Sequence, residues 1–273
     1  RHTRSFHVTG VQTCALPILG EALLSGLLRS KATDATLIVA EKRRERAAEL
    51  VSKYGVDVFD NVEAAKQADT VVLVVKPQDM HSLLAEISPF INPKALVISL
   101  AAGITTSFIE SRLAQGTAVV RVMPNTPALV DEGMSALTAG EHCTETGLAT
   151  AEKLLAAVGK TVIVPEKYQD AVTAISGSGP AYIFYVVEAM IEAGVVLGLP
   201  RATAHDLVVQ TVVGAATMLR ETGEHPTVLR ENVTSPAGTT AAALRELDDH
   251  KVRAAFVTAM EAARDRSQQL ASG

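Results

Sequence analysis

The feature that most constrains the fold is a regular alternation of short apolar runs and helix-like segments, which continues to Pro165 and then stops. Such runs are typical of buried strands, and strands that alternate with helices form a mostly parallel, doubly wound sheet. The sequence therefore predicts an α/β, Rossmann-like domain over residues 20–165. Its predicted strands are LIVA at 37–40, TVVLVVKP at 70–77, LVISLAAG at 96–103, AVVRVMPNTP at 118–127, SALTAG at 135–140 and TVIVP at 161–165.

Residues 166–273 have a different pattern, in which strand signals are absent and helical spacing recurs between Gly, Pro and Thr positions. The segment 180–198 is apolar on most faces, which favours burial either in a subunit interface or within its own domain. We therefore predict that the sheet is followed by a separate, all-helical domain.

Residues 1–19 do not resemble the start of the predicted sheet, because they are basic and have no regular apolar period. In a G-x-G-x-x-G phosphate loop that ends at Gly20, the two earlier glycine positions hold Ala15 and Pro17. Proline lacks an N–H and has a fixed φ, so this loop could not bind pyrophosphate normally. The interpretation is that residues 1–19 are a non-native or disordered segment that replaces the first strand and the glycine loop.

Composition excludes several classes of function. The net charge of −5 and the absence of a basic stripe argue against nucleic-acid binding. The longest apolar span, residues 186–199, is interrupted by Glu188 and Glu192, which argues against a membrane protein. Cys14 and Cys143 have no metal-site spacing, so we expect no metal and a reducing cytoplasm. A small-molecule substrate is the remaining expectation.

The ends of the predicted strands carry the candidate cofactor site, because open parallel sheets bind ligands at the carboxyl ends of their strands. The candidates there are Lys76 with Pro77, Ala101 to Gly103, and Met123 to Thr126, which includes Asn125. Gly20 fits the last glycine of a phosphate loop.

The residues that would read the adenine ribose lie about twenty positions after the glycine loop. Glu41 there would bind the ribose hydroxyls of NAD, whereas Lys42 and Arg43, followed by Arg44, favour the extra phosphate of NADP. We therefore expect NADP(H), with NAD(H) as the second option. The alternative is that these charges form only the solvated start of a helix.

The stretch VTSPAGTTAAALREL at 233–247 combines a helix-start signal with hydroxyls and small residues. Ser235 followed by Pro236 predicts a cap and a first helical residue, and Ala237 and Gly238 leave the surface bare. The N–H groups of a helix that begins there would bind a small carboxylate or phosphate. An ordinary capped helix is the alternative.

The chain from Gly20 onward resembles the pyrroline-5-carboxylate reductase family. The resemblance is carried by GEALLSGLL, VVKPQ, SLAAG, RVMPNTPALV, ISGSGPAY and, most specifically, VTSPAGTTAAALRELD. It implies an NAD(P)-binding Rossmann domain, a helical domain that forms intertwined dimers, and the reduction of 1-pyrroline-5-carboxylate to L-proline. The implied substrate contacts lie on Ser235, Pro236, Ala237, Gly238, Thr239 and Thr240, and the implied cofactor contacts on Asn61, Val75, Lys76, Pro77, Ala102, Gly103 and Asn232.

One position departs from the family pattern, because Ala237 stands where the family usually has the first of two glycines. For catalysis, Thr240 is the candidate residue, since its hydroxyl could contact the ring nitrogen of the cyclic imine while hydride arrives. Two alternatives to this enzyme stay open. A β-hydroxyacid dehydrogenase would need a lysine that is absent from residues 176–200, and a non-catalytic protein would bind NADP or a proline-like ligand without turnover.

Overall fold

The computed structural model describes residues 8–12, 17–30 and 35–272. These residues form two compact units: unit 1 contains those up to Ser178 and those from Ala263, and unit 2 is Gly179–Ala262. The division therefore falls after the predicted boundary at residue 165. Residues 166–178 belong to unit 1 because Gln169, which is fully buried, donates from Nε2 to Thr138 Oγ1 at 2.7 Å and to the Ala136 carbonyl at 3.3 Å.

The sheet of unit 1 has eight strands in the order β3-β2-β1-β4-β5-β6-β7-β8. All neighbouring pairs are parallel except β6 with β7, which confirms the predicted mostly parallel, doubly wound architecture. The strands are β1 (Val8–Gln12), β2 (Leu37–Glu41), β3 (Asp57–Phe59), β4 (Thr70–Val74), β5 (Leu96–Ser99), β6 (Ala118–Met123), β7 (Gly133–Ala139) and β8 (Gly159–Ile163).

Helices cover both faces of the sheet, as a sheet with buried central strands requires. One core contains Leu23 and Leu154 with alternate residues of the central strands, and the other contains Ala64 and Leu84. The helices of unit 1 are α1 (Pro17–Ser30), α2 (Arg44–Tyr54), α3 (Asn61–Gln67), α4 (Pro77–Ile87), α5 (Thr106–Glu110), α6 (Glu145–Leu155) and α7 (Gln169–Val172). The sequence pattern did not predict α4, because its apolar positions follow directly on the apolar run of β4.

The segment 8–12 forms a strand, although we expected residues 1–19 to lack one. It pairs in parallel with β2, where Val8 is opposite Leu37, and with β4, where Val8 is opposite Thr70. The physical reason is that β2 and β4 would otherwise present unpaired N–H and C=O groups to each other across an empty strand position. Residues 1–7 and 13–16, with the loop position Ala15 and the cysteine Cys14, lie outside the described residues.

Helix α1 begins at Pro17, so Gly20 is its fourth residue and does not open the helix as predicted. Proline suits the first position of a helix, where the missing N–H has no helical partner.

Unit 2 is helical, as predicted. It contains α8 (Gly179–Val196), α9 (Arg201–Thr222), α10 (Pro226–Asn232) and α11 (Thr239–Asp249), together with the beginning of α12 (Val252–Ser272). No residue of α8 is buried in the isolated chain, and Phe184, Tyr185 and Val196 on this helix are mostly exposed. In the part of the chain that is described, the helical stretch 166–196 is the one long and apolar enough to cross a membrane by length and composition.

Candidate active site

The strand ends of unit 1 meet at the position where open α/β sheets bind ligands, between β1 and β4 in this strand order. After β4, the chain passes through the fully buried Val75 to the exposed Lys76, which precedes α4, and to Pro77, which is the first residue of α4. Proline presets the helical φ at that position. The strand therefore ends at Val74 and not at Pro77 as predicted, and Val75, Lys76 and Pro77 lie beyond its carboxyl end.

The turn after β5 brings Ala102 and Gly103 to the same edge of the sheet. Gly103 has a φ of +75°, a left-handed conformation that glycine adopts without the steric cost of a Cβ atom. The Ala101 N–H donates to Ser99 Oγ at 3.3 Å, which holds the start of this turn. A bare, tightly turned backbone at a strand end suits close approach by a dinucleotide.

The end of β2 carries Glu41, Lys42 and Arg43. Glu41 is buried, and its carboxylate accepts three hydrogen bonds from Arg43: from the backbone N–H at 3.0 Å, from Nε at 3.2 Å and from Nη2 at 3.1 Å. This carboxylate is therefore engaged by Arg43 and is less available for the two ribose hydroxyls of NAD. The arrangement favours a phosphate as ligand of the neighbouring cations.

Asn61 is 1% exposed and is the first residue of α3, just beyond the end of β3. Its Nδ2 donates to Glu86 Oε2 at 3.0 Å, and the same oxygen is 3.0 Å from Lys42 Nζ. Burial raises the pKa of the Glu86 carboxyl, but the hydrogen bonds from Asn61 and Lys42 outweigh burial, so the pKa lies below its usual value. Asn61 Oδ1 is buried without a hydrogen-bond partner in the described chain.

Asn125, just beyond the end of β6, has a side chain that forms hydrogen bonds with other residues of unit 1. Its Oδ1 accepts from the Met134 N–H at 2.8 Å, and its Nδ2 lies 3.2 Å from the Ser176 carbonyl and 3.3 Å from Ser176 Oγ. These bonds tie the β6 end to β7 and to the segment before α8. The prediction that Asn125 binds the cofactor therefore lacks support from its side chain, which holds the scaffold.

The stretch 235–238 forms a tight turn, so the prediction that Ser235 caps a helix starting at Pro236 is wrong. The Gly238 N–H donates to the Ser235 carbonyl at 3.0 Å, and α11 begins only at Thr239, with Gly238 as its cap residue. Ala237 has a φ of +57°. A left-handed residue in the third position of a turn, after proline, is the pattern of type II turns, which favours glycine there.

Thr239 and Thr240 are therefore the first two residues of α11, with Thr239 exposed and Thr240 half-buried. The first N–H groups of a helix have no helical carbonyl to bind and carry partial positive charge. The helix start at which the anion seat was predicted therefore lies at Thr239 and Thr240, and not at Pro236. Asn232, the last residue of α10, is exposed.

Glu86 is a residue that sequence reasoning missed, because α4 was not predicted and a lone glutamate in a helix carries no signal. No cluster of three or more His, Cys, Asp or Glu residues in the described ranges could hold a metal ion.

The fold and the strand-end residues define the class of protein as a Rossmann-type oxidoreductase that binds a nicotinamide dinucleotide. A family model described as NADP oxidoreductase, coenzyme F420-dependent, matches residues 18–103, and one described as pyrroline-5-carboxylate reductase dimerisation matches residues 166–270. The pyrroline-5-carboxylate reductase of Corynebacterium melassecola is 47% identical over 92% of this chain and 95% of its own length. The chain belongs to the pyrroline-5-carboxylate reductase family, which confirms the resemblance found in the sequence.

Solved structures agree with this assignment. The chain is similar to a pyrroline-5-carboxylate reductase from Coxiella burnetii, with a TM-score of 0.90 and 37% identity over 96% of this chain and 97% of that chain. It is also similar to the Plasmodium falciparum pyrroline carboxylate reductase crystallised with NADP bound, with a TM-score of 0.84 and 28% identity over 97% and 98% of the two chains. These similarities favour the pyrroline-5-carboxylate reductase interpretation over the β-hydroxyacid dehydrogenase alternative.

Proposed function

We propose that this chain reduces 1-pyrroline-5-carboxylate to L-proline with NADPH as the hydride donor. The observation that carries the proposal is the turn at Ser235–Gly238 leading into α11, because it provides an anion seat with a hydroxyl beside it in a chain of this family. The substrate is a five-membered cyclic imine that carries a carboxylate. Its carboxylate suits the anion seat, and its imine nitrogen suits the hydroxyl.

The substrate carboxylate would accept hydrogen bonds from the backbone N–H groups of Thr239 and Thr240, with Ser235, Pro236, Ala237 and Gly238 forming the turn beneath it. The Thr240 hydroxyl would then accept a hydrogen bond from the protonated imine nitrogen. This hydroxyl is not a strong acid, so the proton is on the substrate already or comes from water. Positioning supplies most of the rate.

When bound, the nicotinamide would supply the hydride that adds to the carbon of the protonated imine, which gives a secondary amine that takes a second proton from water. Lys42 and Arg43 would hold the 2′-phosphate, and Asn61 would accept a hydrogen bond from the nucleoside through its unpartnered Oδ1. Within unit 1, the residues at 75–77 and 102–103 and Gly20 would complete the cofactor site. The buried, unpartnered Oδ1 is the observation that fits a nucleotide at this edge, and NAD(H) is the second option.

The test measures NADPH oxidation and proline formation after 1-pyrroline-5-carboxylate is added. It uses this chain and a version in which the residues before Glu21 are replaced by an apolar strand and a G-x-G-x-x-G loop. We expect turnover in the restored version. Ligand binding without proline formation in that version would instead support the non-catalytic, ligand-sensing alternative.

In the restored version, Thr240→Ala should lower kcat by about 10- to 100-fold, because the hydrogen bond to the reacting nitrogen is lost. Thr240→Ser keeps the hydroxyl and is the matched control, expected to stay within a few-fold of the parent. Thermal unfolding midpoints of both variants report whether the fold is intact. Equal kcat values for the alanine and serine variants would exclude this role for Thr240.

We also propose that the chain forms a homodimer through unit 2 and functions in the cytoplasm. The exposed apolar side chains of α8 support the dimer, since apolar patches of this kind mark protein interfaces. The family model that matches residues 166–270 is that of a dimerisation domain. The unpaired Cys143 is consistent with a reducing compartment.

A further inference from the structure

Three side chains from three different elements converge beside the nucleotide edge of unit 1. Lys42 follows β2, Asn61 opens α3, and Glu86 lies in the last turn of α4. Both Lys42 Nζ and Asn61 Nδ2 are 3.0 Å from a single atom, Glu86 Oε2. The Glu86 carboxylate therefore binds two side chains of the candidate cofactor site, Lys42 and Asn61.

The chemistry of the Glu86 carboxylate decides which way the Asn61 amide points. An ionised carboxylate only accepts hydrogen bonds, so it binds the NH₂ group of Asn61 and excludes the carbonyl oxygen. The opposite end, Oδ1, is then directed away from Glu86, where it is buried and has no protein partner in the described chain. A buried acceptor without a partner is costly, so this atom is suited to a ligand that donates.

The position of Asn61 limits what that ligand is. Residue 61 lies just beyond β3, and β3 pairs in parallel with β2, so both strand ends lie at the same edge of the sheet. Open α/β sheets bind nucleotides at this edge, and the donors that a nucleoside offers are its ribose hydroxyls and its exocyclic amine. Lys42, held by the same carboxylate, adds a cation for a phosphate on that nucleoside.

We propose that Glu86 is a positioning residue for the adenosine end of the dinucleotide, which fixes the Asn61 amide so that Oδ1 accepts from the nucleoside. This inference rests on the proposed function, which supplies the dinucleotide as ligand. It adds Glu86, a residue outside the candidate cofactor site. Glu86 contacts no part of the reacting groups and acts through Asn61 and Lys42.

The probe is adenosine, titrated into the chain as it exists and followed by nuclear magnetic resonance of the ligand. Adenosine is neutral and has no 5′-phosphate, so its binding depends neither on the glycine loop nor on the net charge removed by the substitution. Glu86→Leu removes the oxygen that accepts from Asn61 Nδ2, so the amide is no longer fixed with Oδ1 directed into the site. We expect about fivefold weaker binding, the effect of one hydrogen bond.

The reciprocal exchange separates positioning from a merely structural role. In the double variant Glu86→Gln with Asn61→Asp, the glutamine NH₂ donates to one aspartate oxygen and leaves the other facing the nucleoside. Adenosine affinity should therefore return to within about twofold of the parent. Asn61→Asp alone places two carboxylates together and should weaken binding. Glu63→Leu, on the same helix α3, where the Glu63 carboxylate pairs with Lys66 at 2.5 Å, is the control with the same charge change.

Unfolding midpoints of all variants identify any that fail to fold. The proposal is overturned if Glu86→Leu binds adenosine as the parent does, if the double variant binds no better than Asn61→Asp alone, or if the parent chain does not bind adenosine. The proposed function fails separately, when adenosine binds as expected but the version with a restored glycine loop forms no proline.

Discussion

Ala237 shows how one side chain can be at odds with the backbone that it occupies. Its φ of +57° is left-handed, and a Cβ atom in that conformation costs roughly 1–2 kcal/mol. The turn forms nevertheless, because Pro236 presets the preceding angle and the Gly238 N–H closes the turn on Ser235. The resemblance to the family implies glycine at this position, and the alanine side chain of this protein causes the strain.

Ala237→Gly should therefore stabilise the protein by about 0.5–1 kcal/mol, since relief of the left-handed strain exceeds the entropy that glycine adds to the unfolded chain. The measurement is the free energy of unfolding from denaturant titration. Ala243→Gly, in the interior of the adjacent helix α11, is the matched control and should destabilise by about 0.8–1 kcal/mol. A loss of stability for Ala237→Gly, similar to that of the control, would contradict the strain.

At the scale of elements, Glu21 joins α1 to α2. Its carboxylate accepts hydrogen bonds from Lys53 Nζ at 2.8 Å, from Tyr54 Oη at 2.6 Å and from Arg46, all of them on α2. Burial alone would raise the pKa of Glu21, but these partners outweigh burial and lower the pKa to about 2. Helix α1 is thereby attached to α2 at Glu21, the fifth residue of α1.

A depressed carboxyl pKa stabilises the folded state above the unfolded-state value, near 4.5, and this contribution is lost as the pH falls towards 2. Glu21→Gln should therefore be less stable than the parent at pH 7, and the difference between the two should shrink between pH 4.5 and pH 2. Unfolding midpoints measured from pH 7 to pH 2 test this. Glu45→Gln, an exposed position on α2, is the control, and a constant difference for Glu21→Gln across that range would refute the linkage.

For the whole molecule, unit 2 leaves much apolar surface uncovered in a single chain. Phe184 is 67% exposed and Tyr185 is 74% exposed, both on α8, which has no buried residue. Surfaces of this kind are covered in stable assemblies, and obligate homodimers bury large apolar areas. This is the expected behaviour of a dimerisation domain.

We expect the chain to sediment as a dimer or as an assembly of dimers. Phe184→Glu should weaken association by at least tenfold, because it places a charge in a desolvated apolar interface. Analytical ultracentrifugation over a dilution series measures the change. Val51→Glu, at a half-exposed position of α2 in unit 1, is the control and should leave the mass unchanged. A monomeric parent, or equal behaviour of both variants, would contradict the interface.

Patterns of local periodicity predicted the alternation of strands and helices and the all-helical second half, because burial repeats every two or three to four residues along the chain. The helix α4 escaped prediction, since its apolar residues continue the run of β4. The helix start at Ser235 was misplaced by three residues, because a Ser-Pro pair also begins a type II turn.

By itself, the sequence determined the order of the sheet and the helical half and the family, since these depend on local pattern and on motifs. Only the tertiary structure decided that residues 8–12 pair as a strand between β2 and β4, and that Arg43 engages Glu41. It also brought Glu86 to Asn61, 25 positions away in the chain. Pairing and ion contacts between distant segments depend on which unsatisfied groups the fold brings together, and no local period encodes them.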